Sequence, residues 1–387
     1  MAEETKNEKP NEGLEFLEWL RTKDGKAEKN YRGFKQYLES RARGKGVPIS
    51  GQFELTPLCN FDCKMCYVHL SQDRMNGREI LSVETWKDLI HQAWEAGMIK
   101  ASLTGGECLT YPGFDEIFLY LHSLGCEVGV LTNGFLLDEK RLEFFKEHMP
   151  ALIQVTLYGY DEESYMRVTG RRGFKTVTEN IRRAVDAGMP LQVSITPNSF
   201  LGRDVLETVR VANTLAKKVI VNSMLFTPRE ETGRSDQKED LDDDLYVDIY
   251  HLIDEIYGRE KRTINADKLP PVGGPYHECS ECGLLCGGGR SSFVVDWRGT
   301  LMPCNRMNII HADLLQEGFA AAWKKVNGEA CSWPRVPECK GCPYDKVCNH
   351  CAGNMLRYAK PGQQPTGLCE KIKYYVQCGV RDLPDCE

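Results

Sequence analysis

Cys59-Asn60-Phe61-Asp62-Cys63-Lys64-Met65-Cys66-Tyr67 follows a short strand-like run at 53–56 and precedes an amphipathic stretch at 83–96. Cysteine thiolates normally fill all four positions of a [4Fe-4S] cube. This loop supplies three, so one iron is left open to bind a ligand as well as to pass electrons. Its position also matters, because in parallel α/β folds the functional groups gather beyond the carboxyl ends of the strands. The competing reading is zinc with His69 as a fourth ligand, at an unusual spacing for a closed tetrahedral site.

Outward from the loop, from Gln52 to Leu225, short apolar runs alternate with amphipathic stretches. Strands are expected at 53–56, 101–104, 127–132, 152–157, 191–196 and 219–225. Helices are expected at 83–96, opened by Ser82 and closed by Gly97, and at 138–148, 177–187 and 203–216. The pattern by itself permits a doubly wound sheet or a barrel. Upstream, residues 1–51 are highly charged, with Leu14, Leu17, Leu20 and then Tyr31, Phe34, Leu38 at helical spacing, and read as a helical extension capping the next domain. Downstream, residues 226–278 carry an acidic run at 239–244 and a helix at 246–257, and read as a linker.

The chain has 387 residues, 17 cysteines and a net charge of -7, long enough for two domains and without the basic excess that nucleic acid requires. No run of eighteen apolar residues occurs, and Met1-Ala2-Glu3-Glu4-Thr5-Lys6 lacks the features of a secretory signal, so no membrane association and a cytoplasmic location are expected. In that reducing compartment the cysteines fit metal ligation better than disulfides. Eleven of them lie between Cys279 and Cys378, which sets 279–387 apart as a cysteine-rich domain.

The C-x3-C-x2-C spacing followed by Tyr67 resembles the radical S-adenosylmethionine (SAM) superfamily, with Met65 where an aromatic residue is usual. The resemblance implies an α/β fold, a partial (βα)6 barrel over 52–225, and an open iron chelated by the amino and carboxylate groups of SAM. It gives Gly105, Gly106 and Glu107, in the turn after the second strand, a contact with the SAM amino group. Gln154-Val155-Thr156-Leu157-Tyr158-Gly159 is similar to a Ser-Leu-Asp-Gly stretch of relatives, which assigns Thr156 to ribose or carboxylate. Arg167 resembles the arginine that neutralises the SAM carboxylate, with Arg171 as its competitor. Asn133 and Asn198, each at a strand end, are candidates for ribose or substrate, or are turn formers. The implied chemistry is reductive cleavage of SAM to a 5'-deoxyadenosyl radical that takes hydrogen from an unreactive carbon.

Farther along, Cys286-x12-Gly299-x4-Cys304, Cys339-x2-Cys342-x5-Cys348-x2-Cys351 and Cys369 resemble the SPASM extension, its C-x3-C shortened here by one residue. The resemblance implies a small irregular domain with two auxiliary [4Fe-4S] clusters, three clusters in all. The first would take Cys286, Cys304, Cys351 and one of Cys279 or Cys282; the second would take Cys339, Cys342, Cys348 and Cys369. Zinc ribbons, which also use paired C-x2-C ligands, are the alternative. Relatives act on peptides and proteins, so the expected activity is oxidative modification of a peptide or protein substrate, by a thioether or carbon-carbon cross-link in a ribosomal peptide. Its electrons would come from a low-potential donor such as flavodoxin or ferredoxin. Formylglycine formation is disfavoured, since Asn305 stands where sulfatase-maturing enzymes place an aspartate base, unless Asp313 substitutes. Radical modification of a small metabolite and a non-enzymatic iron-sulfur electron carrier are the other readings.

Overall fold

The computed structural model describes residues 31–222, 241–258, 283–344 and 350–380, with the single positions 226, 229, 232 and 348. The expected helix around Leu14, the end of the sixth strand at Leu225, part of the acidic run, and Cys279, Cys282 and Cys386 lie outside the described residues.

Helix α1 (Tyr31–Lys45) leads into six βα-type strands: β1 (Ser50–Glu54), β2 (Lys100–Thr104), β3 (Glu127–Thr132), β4 (Leu152–Thr156), β5 (Leu191–Ile195) and β6 (Val219–Val221). Between them run α2 (Val83–Glu95), α3 (Phe114–Ser123), α4 (Glu139–Glu147), α5 (Glu162–Thr169), α6 (Phe174–Asp186) and α7 (Asp204–Leu215). After α8 (Asp243–Ile256) come β7 (Ser292–Val295), β8 (Thr300–Met302), β9 (Ala312–Asp313), α9 (Leu314–Cys331), the short α10 (Ala352–Met355) and α11 (Thr366–Gln377). The strands form one open sheet in the order β6-β5-β4-β3-β2-β1-β7-β8-β9. Pairing is parallel from β6 through β7, and antiparallel from β7 to β9.

Apolar side chains set this register. Phe53 pairs with Leu103, Leu103 with Val130 and Val130 with Ile153, and all four are buried. Helices cover the sheet because their apolar positions recur at helical spacing: on α2, Trp86, Leu89, Ile90 and Ala93 are buried, an i, i+3, i+4, i+7 stripe. Ser82 caps α2 by accepting the Thr85 N–H at 3.2 Å.

Helices α3, α5 and α9 and strands β7 to β9 were not among the expected elements, and two contacts show what the sequence pattern left out. Helix α6 begins at Phe174 rather than 177, because the Glu162 carboxylate, eleven residues away, accepts the N–H groups of Gly173 (3.0 Å) and Lys175 (2.9 Å). Strand β7 joins the barrel sheet beside β1, with Phe293 edge-on to Phe53 at 5.9 Å. The cysteine-rich segment therefore shares the barrel's sheet and core before reaching its own irregular part.

Candidate functional site

The cysteine loop leaves β1 at the carboxyl end of the sheet and is held mainly by its backbone. Asp62 and Lys64 donate their N–H groups to Thr169 (2.9 Å) and Val168 (3.0 Å) at the end of α5, and Leu70 N–H reaches Pro57 O at 3.0 Å. Phe61 anchors the loop from within, edge-on to Phe135 (5.5 Å), Tyr165 (5.9 Å) and Tyr158 (6.4 Å). Backbone amides point at two of the sulfurs: Phe61 N–H at Cys59 Sγ (3.4 Å) and His69 N–H at Cys66 Sγ (3.3 Å). All three thiols lie within electrostatic reach of the half-buried Tyr158.

Burial, with Glu107 second, pushes the Cys59 thiol well above its usual range. Such a thiol stays neutral unless a cation compensates, and a coordinating metal ionises it outright. Amide dipoles aimed at sulfur serve the same end, so the donor set fits an iron-sulfur cluster. Among the described residues, no three Cys, His, Asp or Glu side chains are gathered closely enough to hold a single metal ion. A cube needs a wider spread than zinc, because each thiolate binds its own metal atom.

The Gly-Gly-Glu turn packs directly under this loop. Gly106 N–H donates to Thr56 O at 2.6 Å and Glu107 N–H to Leu58 O at 2.9 Å. A Cβ on Gly105, whose φ is +142°, would fall 2.4 Å from Thr56 O, and one on Gly106 would fall 2.3 Å from Leu58 O. The glycines are thus demanded by backbone-to-backbone packing. Glu107 is buried, and its carboxylate accepts from Thr132 Oγ1 (2.7 Å), Asn133 N–H (2.7 Å) and Leu109 N–H (3.1 Å). Burial raises its pKa and these donors oppose the rise. Asn133 carries the connection on, donating from Nδ2 to Asn60 Oδ1 at 2.6 Å, 3.7 Å from Cys59 Sγ.

The remaining expected contacts are dispersed. Thr156 is half-buried at the end of β4, opposite Ser194. Asn198 uses its side chain in its own loop, accepting Leu201 N–H and donating to Thr196 O, both at 2.9 Å. Arg167 is turned to Phe200 O (2.9 Å) and to an ion pair with Asp204. Arg171 instead lies over the cysteine loop, donating to Asn60 O at 3.0 Å with its guanidinium 4.4 Å from the Phe135 ring centroid. It borders a cavity of about 660 Å³ whose wall includes Cys59, Asn60, Lys64 and Arg74.

The C-terminal thiols fall into two neighbourhoods. Burial pushes Cys304 up to about 11, with Cys286 and Cys351 adding to the rise. Burial pushes Cys348 up to about 12, with Cys339, Cys369 and Cys342 adding. Between Cys348 and Cys351, His350 adopts a left-handed backbone with φ of 47°, which turns the chain from one set to the other within two residues. Asp313 is engaged as the N-cap of α9, accepting Leu315 N–H at 2.9 Å.

Sequence reasoning missed one group. Glu54, fully buried at the end of β1, meets Arg229 nitrogens at both oxygens (2.8 and 3.0 Å) and accepts the Tyr67 hydroxyl at 3.1 Å. Asn305 Nδ2 in turn donates to Tyr67 Oη at 3.0 Å. A glutamate set between the apolar Phe53 and Leu55 was the available signal.

The sequence profile of the Radical SAM superfamily matches residues 53–215. The sporulation killing factor maturation protein SkfB of Bacillus subtilis (strain 168) is 25% identical over 276 residues, 71% of this chain and 64% of that protein. The chain thus spans less than two thirds of SkfB. The AdoMet-dependent heme synthase of Methanosarcina barkeri (strain Fusaro / DSM 804) is 25% identical over 331 residues, 80% of this chain and 92% of that protein. Among solved structures, Streptococcus suis SuiB bound to precursor peptide SuiA superposes with a TM-score of 0.65 at 17% identity, covering 88% of this chain and 81% of SuiB.

Proposed function

We propose, from the match of residues 53–215 to the Radical SAM superfamily, that this chain is a peptide maturase that introduces a thioether or carbon-carbon cross-link. Cys59, Cys63 and Cys66 would hold the SAM-binding cluster. When bound, the reduced cluster and SAM supply a 5'-deoxyadenosyl radical able to remove hydrogen from an inert carbon. The edge-on packing of Phe61, Phe135, Tyr158 and Tyr165 fixes the loop from behind, and Arg171 offers a guanidinium to a carboxylate beside it.

The observation that carries the oxidative reading is the division of the C-terminal thiols into two sets, Cys286, Cys304, Cys351 and Cys339, Cys342, Cys348, Cys369. Removing a hydrogen atom, a proton and an electron from the substrate requires an acceptor for that electron, and two auxiliary [4Fe-4S] clusters held by these sets would provide it. Cys279 or Cys282 would complete the first set. A low-potential flavodoxin or ferredoxin would supply the priming electron. SkfB, named as a maturation protein, supports the peptide substrate. A second reading, modification of a small metabolite, draws support from the heme synthase match, which spans 92% of that enzyme.

The test is anaerobic reconstitution with iron and sulfide, reduction in the presence of SAM, and mass spectrometry with and without candidate short peptides. Formation of 5'-deoxyadenosine together with a peptide lighter by two hydrogens is expected. Replacing Cys59, Cys63 and Cys66 by Ala should abolish SAM cleavage while leaving much of the iron bound. Cleavage by that triple variant would contradict the site.

A further inference from the structure

The two C-terminal thiol sets sit in different fields of charge. Arg306 directs Nη1 at Cys351 Sγ from 3.8 Å and lies within electrostatic reach of Cys304. Arg43, carried by α1, donates from Nη1 to Leu285 O at 3.4 Å, one residue before Cys286, and lies within electrostatic reach of that thiol. Arg290 donates from Nη1 to Leu284 O at 3.1 Å, so a second guanidinium holds the same turn. Each described thiol of the first set thus has a guanidinium in reach. In the second set, Cys369 has Lys373, an exposed ammonium on α11, and Cys348 is faced by the His350 backbone N–H.

Two of the first set's cations lack a carboxylate partner. Arg290 is buried and Arg43 half-buried, the Nε of each has no hydrogen-bond partner, and neither forms an ion pair among the described residues. Burying such a charge is costly until an anion lies beside it. An iron-sulfur cube held by thiolates is an anion, and it gains a further negative charge when reduced. A guanidinium stays cationic at any working pH, so it favours the reduced form, and solvent screens it less where it is partly buried than it screens the exposed Lys373.

We propose that the Arg306 and Arg43 guanidiniums raise the reduction potential of the cluster held by Cys286, Cys304 and Cys351 above that of the cluster held by Cys339, Cys342, Cys348 and Cys369, so that the electron released by the substrate rests on the first set. This order of potentials rests on the auxiliary-cluster reading and deepens it. The substrate loses a hydrogen atom to the 5'-deoxyadenosyl radical, a proton to solvent and one electron to the first cluster. The first set is also joined to the cysteine loop of the barrel: Asn305, next to Cys304, donates to Tyr67 Oη at 3.0 Å, and Tyr67 follows Cys66. Arg290, bound to the turn that carries Cys286, is a positioning residue.

The test is an anaerobic redox titration of the reconstituted holoprotein, followed by electron paramagnetic resonance. Signals are assigned with a Cys339→Ala, Cys342→Ala variant, which disables the second set and spares the first. In the parent the first cluster should be reduced before the second, and the reverse order overturns the proposal. Arg306→Gln should shift the reduction equilibrium of the first cluster roughly tenfold toward the oxidised form, about 59 mV downward for a one-electron couple, and move the second by less than about twofold. Arg306→Lys keeps the charge and should shift the first cluster clearly less. An unmoved first cluster in the Gln variant, equal shifts of both clusters, or equal shifts in the Gln and Lys variants overturn the proposal. Should Arg306→Gln fail to hold its first cluster, Arg43→Gln and Arg43→Lys are read by the same criteria. Iron content separates the two levels of the argument. A parent with no auxiliary signal defeats the cluster assignment and this proposal with it, whereas full iron with unmoved potentials overturns the order of potentials alone.

Discussion

The two cysteine regions are built in opposite ways. The barrel loop at 59–66 rests on a parallel sheet, is tied by backbone hydrogen bonds to α5 and to the Gly-Gly-Glu turn, and is backed by an extensive buried core. The described residues from 332 to 380 include a four-residue helix, α11 and few buried apolar side chains, among them Val336, Leu368, Ile372 and Tyr375. The stacked pair Tyr246 and Tyr375, with ring centroids 4.3 Å apart, and the Lys371–Asp243 ion pair at 2.8 Å attach α11 to α8. Protein packing preforms the first site, whereas the second, on the function proposed above, would depend on the clusters its thiols hold. Where few apolar groups are buried, metal binding becomes the folding free energy, on the order of 10 kcal/mol for a structural site.

The largest effect should come from stripping iron. After anaerobic chelation, hydrogen exchange measured by mass spectrometry should rise sharply across 333–358 while strands β1 to β5 stay protected. Equal protection of both regions, before and after chelation, would break the comparison.

Glycine substitutions sharpen it from the other side. Gly106 has no room for a Cβ, which would sit 2.3 Å from Leu58 O, whereas Gly341 in the cysteine region has open space and only a φ of +76° to satisfy. Gly106→Ala should destabilise the barrel by about 3 kcal/mol and displace the loop, since rigid backbone is slow to yield. Gly341→Ala should cost only about 1 kcal/mol, the strain of a left-handed alanine. Paired denaturant titrations measure both, and similar losses would mean that the Gly-Gly-Glu turn is not rigidly packed.

These positions also show what the sequence could disclose. The six strands announced themselves because the helix-covered face of the sheet buries apolar side chains such as Phe53, Val130 and Val193, while Gln52, Ser102 and Gln154 stay half-buried. Cysteine spacing marked the thiol loop because its three cysteines lie within eight residues of one another. The Glu162 cap on α6, the docking of β7 beside β1, and the Glu54–Tyr67–Asn305 chain were hidden, since each joins groups far apart in sequence. Gly105 and Gly106 were recognisable as a tight turn, but that their space is filled by the cysteine loop itself required the three-dimensional contacts. Arg167 and Arg171, four residues apart at the end of α5 and beyond it, could not be separated by spacing. Their directions, toward Asp204 and toward Asn60 O, come from the packing of α7 and the loop.

The smallest effect tests the turn that divides the C-terminal thiols. His350, with φ of 47°, occupies a conformation that costs an L-residue about 1–2 kcal/mol, and it lies between a thiol of each set. Glycine removes that strain but enlarges the freedom of the unfolded chain by a comparable amount, so His350→Gly should leave stability within about 1 kcal/mol of the parent. Valine, β-branched and poorly suited to positive φ, should cost roughly 2 kcal/mol and lower the iron content of both C-terminal sets together. Iron analysis alongside thermal melting reads the two variants. A valine variant with full iron would mean that the left-handed turn is not what allows two residues to separate Cys348 from Cys351.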